Sequence, residues 1–534
     1  MMEPTSEAAP QQPGRWYSHY VLGVLTLVYF FNFVDRNILS ILAEAIKEDL
    51  GVTDAQMGFL YGTVFAVFYA VFGIPLARFA DVWVRRSVIS VGLLFWSAMT
   101  AASGLARSFV ELAAYRTGVG IGEASASPAA YSLLYDYYPP RYRATVVAIY
   151  TSGVAIGIGA GLFLGGTILD WWAELYPVDP PFGLRGWQVA FMAVGLPGIA
   201  MAAWVRTLRE PVRGISEGLL TKPHPRPFHV LGTELVSVIP PLNVIGLVRD
   251  GASLRLNALM ALAIVGGGAG LIWLTGDWAQ WIAMGIGVYA TVSWVQSLAR
   301  RDPATFAMIF KSKAMIYAML SAPIGGFVGY GVAFWTAPLL MRAHDTSAAE
   351  VGLWIGVGAA ASGIIGVAGG GFLADRLRMR FPTGRLMLGY VAMAGTAPFA
   401  LLMIYTESLA IAFLANFLAS VPNGFWAGIA PSTSSDLVMP RMRAIAGAFY
   451  ILLMTFIGLA LGPYTIGKLS DVFIAGGMSD AEGLRLAMAV SLLVFIGSVF
   501  CLAMAQRHLA RDEATRLERA RALGEEVVEA PASA

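Results

Sequence analysis

Residues 136–150 read DYYPPRYRATVVAIY, and residues 436–450 read DLVMPRMRAIAGAFY. Asp136, Pro140, Arg141, Arg143, Ala144 and Tyr150 of the first stretch return, at an offset of 300, as Asp436, Pro440, Arg441, Arg443, Ala444 and Tyr450. Each copy places a D-x3-PRxRA turn between two long apolar runs, so one structural unit occurs twice. The repeat extends outward. GIPLARFADVWVRR (73–86), with Asp81, Arg85 and Arg86, has a partner in GGGFLADRLRMR (369–380), with Asp375, Arg376 and Arg380. Two halves of equal orientation are thus stitched together by a middle segment. Internal repeats of this kind mark many secondary transporters, whose substrate site lies near the membrane midplane between the halves.

The 534 residues are 57% hydrophobic and 13% charged, with a mean hydropathy of +0.66; a soluble chain carries about 25% charged residues. A helix needs about 20 apolar residues to cross a bilayer. Runs of that length lie near 18–43, 54–77, 87–106, 110–135, 144–169, 187–206, 314–341, 348–373, 385–405, 408–434, 444–468 and 484–505. A further pair, 256–275 and 278–298, is split only by Gly276 and Asp277. The expected fold is an all-α polytopic membrane protein with about 14 spans. Its divisions are a disordered N-terminal segment 1–16, a six-helix half 17–207, a linker 208–313 holding the hairpin 256–298, a second half 314–506, and a charged tail 507–534.

Lys and Arg gather on one side of this topology. Only Lys47, Arg107, Arg185, Arg342, Lys468 and Arg485 fall on the other side, with Arg36 and Arg116 inside spans. The bias places both termini in the cytoplasm of a multi-pass cell-membrane (plasma or inner membrane) protein. A net charge of +2 offers no basic surplus for nucleic acid. Cys501 is the single cysteine, and the five histidines show no ligand spacing, which argues against disulfides and a metal centre. GPYTIGKLS (462–470) imitates a phosphate-binding loop, but Leu469 stands where Ser or Thr is needed. No nucleotide-binding domain, and hence no ATPase subunit, is implied. A serine elbow, histidine pair or DDxxD-like cluster is also missing, so an integral-membrane lipid enzyme is a remote reading.

At this point the sequence resembles the major facilitator superfamily. Asp81, Arg85 and Arg86 match its G-x3-D-[RK]-x-G-R-[RK] signature, although Ala77, Val82 and Val84 depart from it. VDRNIL (34–39), RTGVGIGEAS (116–125) and REPVRG (209–214) are similar to the spinster-like branch. That resemblance implies a monomeric transporter without cofactors, driven by a proton gradient, whose substrates include sphingosine 1-phosphate or lysophospholipids. Other small organic solutes, such as drugs or aromatic acids, and passive lipid scrambling are the competing readings.

A charge at the centre of a spanning helix costs about 2.5 to 3.5 kcal/mol and so faces a partner or a wet cavity. Asp35, Arg36, Arg116 and Glu123 are such charges. Arg116 and Glu123, seven residues apart, share one helix face about 10 Å apart. Asp35 lies about 12 Å and Arg116 about 9 Å below the outer helix ends, which permits an Asp35 to Arg116 pair and leaves Glu123 nearer the midplane. Burial raises a carboxyl pKa and a neighbouring cation lowers it, so the two carboxylates differ in proton occupancy. Asp35 and Glu123 are therefore the expected proton carriers, with Arg36 or Arg116 holding an anionic head group. A permanent brace between the first and fourth helices is the plainer alternative. Asn32, Tyr61, Tyr131, Tyr317, Tyr330, Trp335, Asn423 and Trp426 are the expected cavity lining, although each one alone is more often packing than ligand contact. Asp81, Arg85, Arg86, Asp136, Arg141 and Arg143 form an expected cytoplasmic latch, with Asp375, Arg376, Asp436, Arg441 and Arg443 as its second-half counterpart. Gly153, Gly157, Gly161 and Gly165 predict close helix packing.

Overall fold

The computed structural model describes residues 14–217 and 224–525. Residues 1–13 of the expected N-terminal segment, 218–223 of the linker and 526–534 of the tail lie outside the described residues. Twelve described helices are long and apolar enough to cross a membrane. They are α1 (Arg15–Ile41), α2 (Asp54–Val82), α5 (Pro140–Leu175), α6 (Gly186–Arg206), α7 (Leu254–Thr275), α8 (Trp278–Arg301), α9 (Lys313–His344), α10 (Ala348–Arg380), α11 (Gly384–Tyr405), α12 (Leu409–Leu437), α13 (Pro440–Ala475) and α14 (Asp480–Ala514). Two more complete the expected fourteen. α3 (Arg85–Ser103) is diluted by Ser and Thr, and α4 carries Arg116 and Glu123 and is broken into Phe109–Glu123 and Ala126–Tyr137. Both pack inside the first six-helix half, α3 against α4 and α6. An even number of crossings leaves both described ends on one face, the terminal face; its opposite is the far face.

The repeat seen in sequence returns in backbone detail. Ser108 caps α4 by accepting from Glu111 N, and Ser408 caps α12 by accepting from Ile411 N. α12 also breaks, after Asn423, where α4 breaks after Glu123. A side-chain oxygen at the N-cap satisfies an otherwise orphan amide, which fixes where each helix begins. Two π-helical turns, Phe59–Thr63 in α2 and Met454–Ala460 in α13, pack on each other across the halves, and Thr63 Oγ1 donates to Ala460 O at 2.9 Å.

Both helices of the middle hairpin are long and apolar enough to span, at 22 and 24 residues. Asn257 ties it together, donating to Ser293 and Gln296 and accepting from Tyr289. α7 touches α8, and α8 lies on α2 and on the α13 residues Phe456 and Tyr464. The hairpin therefore covers the seam between the halves, and Asp277 at its tip accepts from Tyr464 Oη at 2.8 Å and pairs with Lys468 at 3.0 Å.

Candidate functional site

The buried charges meet where α1, α3 and α4 pack. Asp35, Arg116 and Glu123 are each at most 1% exposed. Arg36 Nη2 donates to Glu123 Oε2 at 2.7 Å, and its guanidinium lies over the rings of Phe65 at 4.3 Å, Phe33 at 4.8 Å and Tyr69 at 5.6 Å. Asn32, one turn before Arg36, lies near the same carboxylate, whose Oε1 has no hydrogen-bond partner among the described residues. Tyr330 of the second half lies within electrostatic range of Arg36, which puts this pair near the seam.

The expected Asp35 to Arg116 ion pair is not formed. Arg116 Nη1 donates instead to the Asp35 carbonyl at 3.2 Å. Successive helical residues point about 100° apart. With Arg36 turned to Glu123, the Asp35 carboxyl turns away from the seam towards Trp96 and Thr100. Among the described residues, Asp35 Oδ1, Trp96 Nε1, Thr100 Oγ1 and Arg116 Nε and Nη2 have no hydrogen-bond partner. Sequence spacing sets depth along a helix, and direction around it is set by packing.

A cavity of about 100 Å³ lies between the halves, lined by Asn37, Ser40 and Tyr61 on one side and Asn416, Ser420 and Asn423 on the other. Tyr61 Oη donates to Asn37 Oδ1 at 3.3 Å, joining this cavity to the Arg36 neighbourhood. Of the expected lining, Asn32 and Tyr330 lie near the charge pair, and Asn423 and Tyr61 face the cavity. Tyr131 stands edge-on to Tyr150, on which Tyr29 stacks at 4.4 Å. Three expectations are corrected. Trp335 lies about 140° around α9 from Tyr330; it is fully buried and donates to Pro463 O at 2.8 Å. Trp426 fills the space over Gly325 and Gly389. Tyr317 sits against Phe500, whose ring is largely exposed.

Above this cavity the halves are fastened at the far face by residues the sequence reading took only as orientation markers or passed over. Arg342 of α9 is bidentate, donating to Glu44 at 2.7 and 2.9 Å and to Asp54 at 2.7 and 2.9 Å. Asp54 also binds Lys47 and accepts from Ser470 at 2.7 Å. Two carboxylates cap helices crosswise. Asp471 near the end of α13 accepts from the amides of Asp54 and Ala55 at 2.9 Å each, closing the N-terminus of α2. Asp170 near the end of α5 accepts from Ala349 N at 2.6 Å, closing the N-terminus of α10. Between these points the helices touch backbone to backbone: a Cβ on Gly159 of α5 would stand 2.5 Å from Gly356 O of α10, and the reverse holds equally. The Gly153, Gly157, Gly161 and Gly165 row packs instead on α1, within its own half.

On the terminal face the described bonds tie each half to itself, to the linker and to the tail. Arg85, 1% exposed, binds Asp136 and donates to Glu210 Oε1 at 2.8 Å and Pro211 O at 3.1 Å. Glu210 Oε2 accepts from Arg86 N at 3.0 Å, and Arg86 reaches Leu208 O. Asp136 Oδ1 accepts from Gly214 N at 2.9 Å. The REPVRG segment is thus the clasp that holds the first latch. Arg385 donates to Asp436 at 2.5 Å and stands 3.6 Å from Asp375. It follows Arg85 at the offset of 300, so Arg385, and not the exposed Arg376, is the second-half counterpart. Asp81 is exposed and meets Arg78 at 3.8 Å, one turn away on its own helix, rather than Arg85 or Arg86. Arg143 reaches Tyr135 O and Ser216, Arg443 reaches Ser435 O, and Arg141 lies over Tyr142. Arg441 joins Asp302 at 2.6 Å and Glu525, tying linker and tail to the second half.

The family model of the Major Facilitator Superfamily matches residues 25–463. An "MFS-type efflux pump" of Mycolicibacterium smegmatis is 27% identical over 512 residues, 95% of this chain and 96% of that protein. "Protein spinster homolog 1" of Homo sapiens is 24% identical over 466 residues, 86% of this chain and 74% of that protein. The crystal structure of a bacterial homologue of the human lysosomal transporter spinster, in an inward-facing and occupied conformation, matches with a TM-score of 0.71 at 27% identity, covering 94% of this chain and 99% of that one.

Proposed function

We propose that this chain, which belongs to the Major Facilitator Superfamily, is a proton-coupled secondary transporter that carries amphipathic anions of the lysolipid or sphingosine 1-phosphate kind by alternating access. The observation that carries this reading is the Arg36–Glu123 pair near the seam. Arg36 has one carboxylate partner at 2.7 Å and three aromatic rings around its guanidinium. A proton placed on Glu123 removes that partner's charge and leaves the guanidinium for a substrate phosphate, while the rings offer an apolar wall to the attached chain. Proton and anion then occupy the seam together, and Glu123 reclaims Arg36 when both have left. Such an exchange makes the affinity for one ligand depend on the other. Asp35, with an unpartnered Oδ1 one residue away, is the proposed second proton carrier, and Arg116 keeps it beside the pair.

In this reading the far-face fastening is the outer gate, and the Arg85 and Arg385 clusters are rigid corners that each half carries as it rocks. The terminal face is cytoplasmic in this reading, which the Lys and Arg distribution supports, and one copy supplies both halves of the path. A second reading, export or import of another small organic solute or drug, draws on the likeness to the M. smegmatis efflux pump.

The test is flux in proteoliposomes, with and without a pH gradient, for wild type, Asp35→Asn and Glu123→Gln. Lysophospholipid or sphingosine 1-phosphate flux that responds to the gradient, and loses that response in Glu123→Gln, supports the proposal. Lipid flux indifferent to both gradient and mutation means passive movement. No lipid flux, with gradient-driven uptake of a non-lipid solute, moves the assignment to the second reading.

A further inference from the structure

We propose that a pocket on the terminal face, between the start of α9 and the end of α14, holds the head group of an anionic phospholipid from the adjoining leaflet. Lys311, Lys313, His508, Arg511 and Arg519 line a cavity there of about 520 Å³. Two carboxylates, Asp512 and Glu518, share the lining, so fixed positive charge is in surplus. Asp512 is already committed, since its Oδ2 accepts from Ser312 Oγ at 2.6 Å and from Ala314 N at 3.0 Å to cap α9. Arg519 Nη2 donates to the Asp512 carbonyl at 2.7 Å, leaving its Nε buried without a partner among the described residues. Lys311, Lys313 and Arg511 form no ion pair among the described residues. That sets them apart from Arg378, Arg385 and Arg441 on the same face, each of which binds a carboxylate.

Position and surroundings select a lipid over a free anion. α9 enters the apolar region directly after Lys313, which puts the cations at head-group level. One turn deeper an apolar strip continues from the pocket along the outside of the bundle: Ile316 is 37% exposed, and Phe500, with Tyr317 against it, is 57% exposed. A phosphate among the cations would lay its acyl chains along that strip. Basic pockets at the membrane boundary bind anionic head groups with about 1 kcal/mol per cation, which is about fivefold in affinity each.

The test uses the purified full chain and measures retained lipid by native mass spectrometry, after titration with dioleoylphosphatidylglycerol or dioleoylphosphatidylcholine. Wild type should retain phosphatidylglycerol in preference to phosphatidylcholine. Lys311→Gln/Lys313→Gln/Arg511→Gln should bind it about 100-fold more weakly, and Arg511→Gln alone about fivefold more weakly. All three substituted side chains are exposed, so melting in pure phosphatidylcholine should not change; should the triple variant fail to fold, the single variant decides. Undiminished phosphatidylglycerol binding in the variants overturns the proposal. So does displacement of the lipid by millimolar inorganic phosphate, which would make the pocket a site for a soluble anion.

Discussion

Replacing Arg342 by Gln should open the far face. In the closed arrangement this guanidinium, 6% exposed, is shared between Glu44 and Asp54, and the Asp54 side chain has no exposed surface. Removing one member of a buried ion pair costs about 3 to 5 kcal/mol because the remaining charge is left uncompensated. Lys47 and Ser470 still bind Asp54 in the variant, so the lower end, about 3 kcal/mol, applies. Opening admits water to Glu44 and Asp54 and relieves that cost, so the penalty falls on the closed state alone. A shift of about 3 kcal/mol multiplies the open-to-closed ratio by about 150. The readout is the labelling rate, by an impermeant maleimide applied from the far face, of Ala359→Cys in the cavity wall. Cys501, the sole native cysteine, is buried in α14 and can be replaced by Ser to clear the background. Labelling should accelerate about 100-fold in Arg342→Gln and by less in Arg342→Lys, which keeps the charge but loses the fork. An unchanged rate in folded Arg342→Gln would mean that the ion cluster decorates the closed face without holding it shut.

Gly159→Leu should block closure by another route, since its side chain would enter the Gly356 backbone; the Ala359→Cys probe should then label fast with Arg342 intact, and slow labelling would count against the contact as a closing surface. Arg85→Ala strands Asp136 and Glu210 and should lower stability by about 3 kcal/mol, seen as a reduced melting temperature; no shift in melting would show that the REPVRG clasp is dispensable. The Arg441 guanidinium, with the Thr305 hydroxyl and amide, holds the Asp302 carboxyl at about 2, below its ordinary 3.8. A depressed carboxylate stabilises fully above the ordinary value and loses that contribution as pH falls through the folded one. Hydrogen exchange of the Pro303–Phe310 helix, corrected for its intrinsic pH dependence, should therefore show constant protection from pH 8 to 5 and lose it only below about 4. A loss already at pH 6 would refute the contact.

Much of the fold was legible because lipid imposes long apolar runs and because a duplicated unit leaves repeated turns. The Asp136 and Asp436 turns located the halves, and the same offset of 300 carries Arg85 directly onto Arg385. Carried by that offset, Asp170 falls on Ser470, one residue short of Asp471, the carboxylate that answers it in the crosswise capping. Both correspondences were available in the sequence, hidden because charges near the ends of spans read as markers of orientation. The exchange of partners between Asp35 and Arg36 had a different cause. Spacing fixes how deep a side chain lies along a helix, while the choice between neighbours 100° apart depends on which helix packs where. The Asn32 and Arg36 spacing of four, one face of α1, was the available hint that Arg36 would share Glu123 with Asn32. Aromatic side chains were the least legible, since Trp335, Trp426 and Tyr317 satisfy packing and interface roles that composition cannot tell from a cavity wall.

The crosswise caps have a consequence for what the far face presents once it opens. In the proposed cycle, opening would take Asp471 off the amides of Asp54 and Ala55, and Asp170 off that of Ala349. Each bared helix start would carry about half a positive charge beside a released carboxylate carrying a whole negative one, so the mouth would gain an acidic rim that exists only while it is open. A cation arriving there would meet Asp471 and Asp170 freed from the amides, and closure would return both carboxylates to their caps. The rim would be supplied by both halves, one freed carboxylate from each, on opposite edges of the seam.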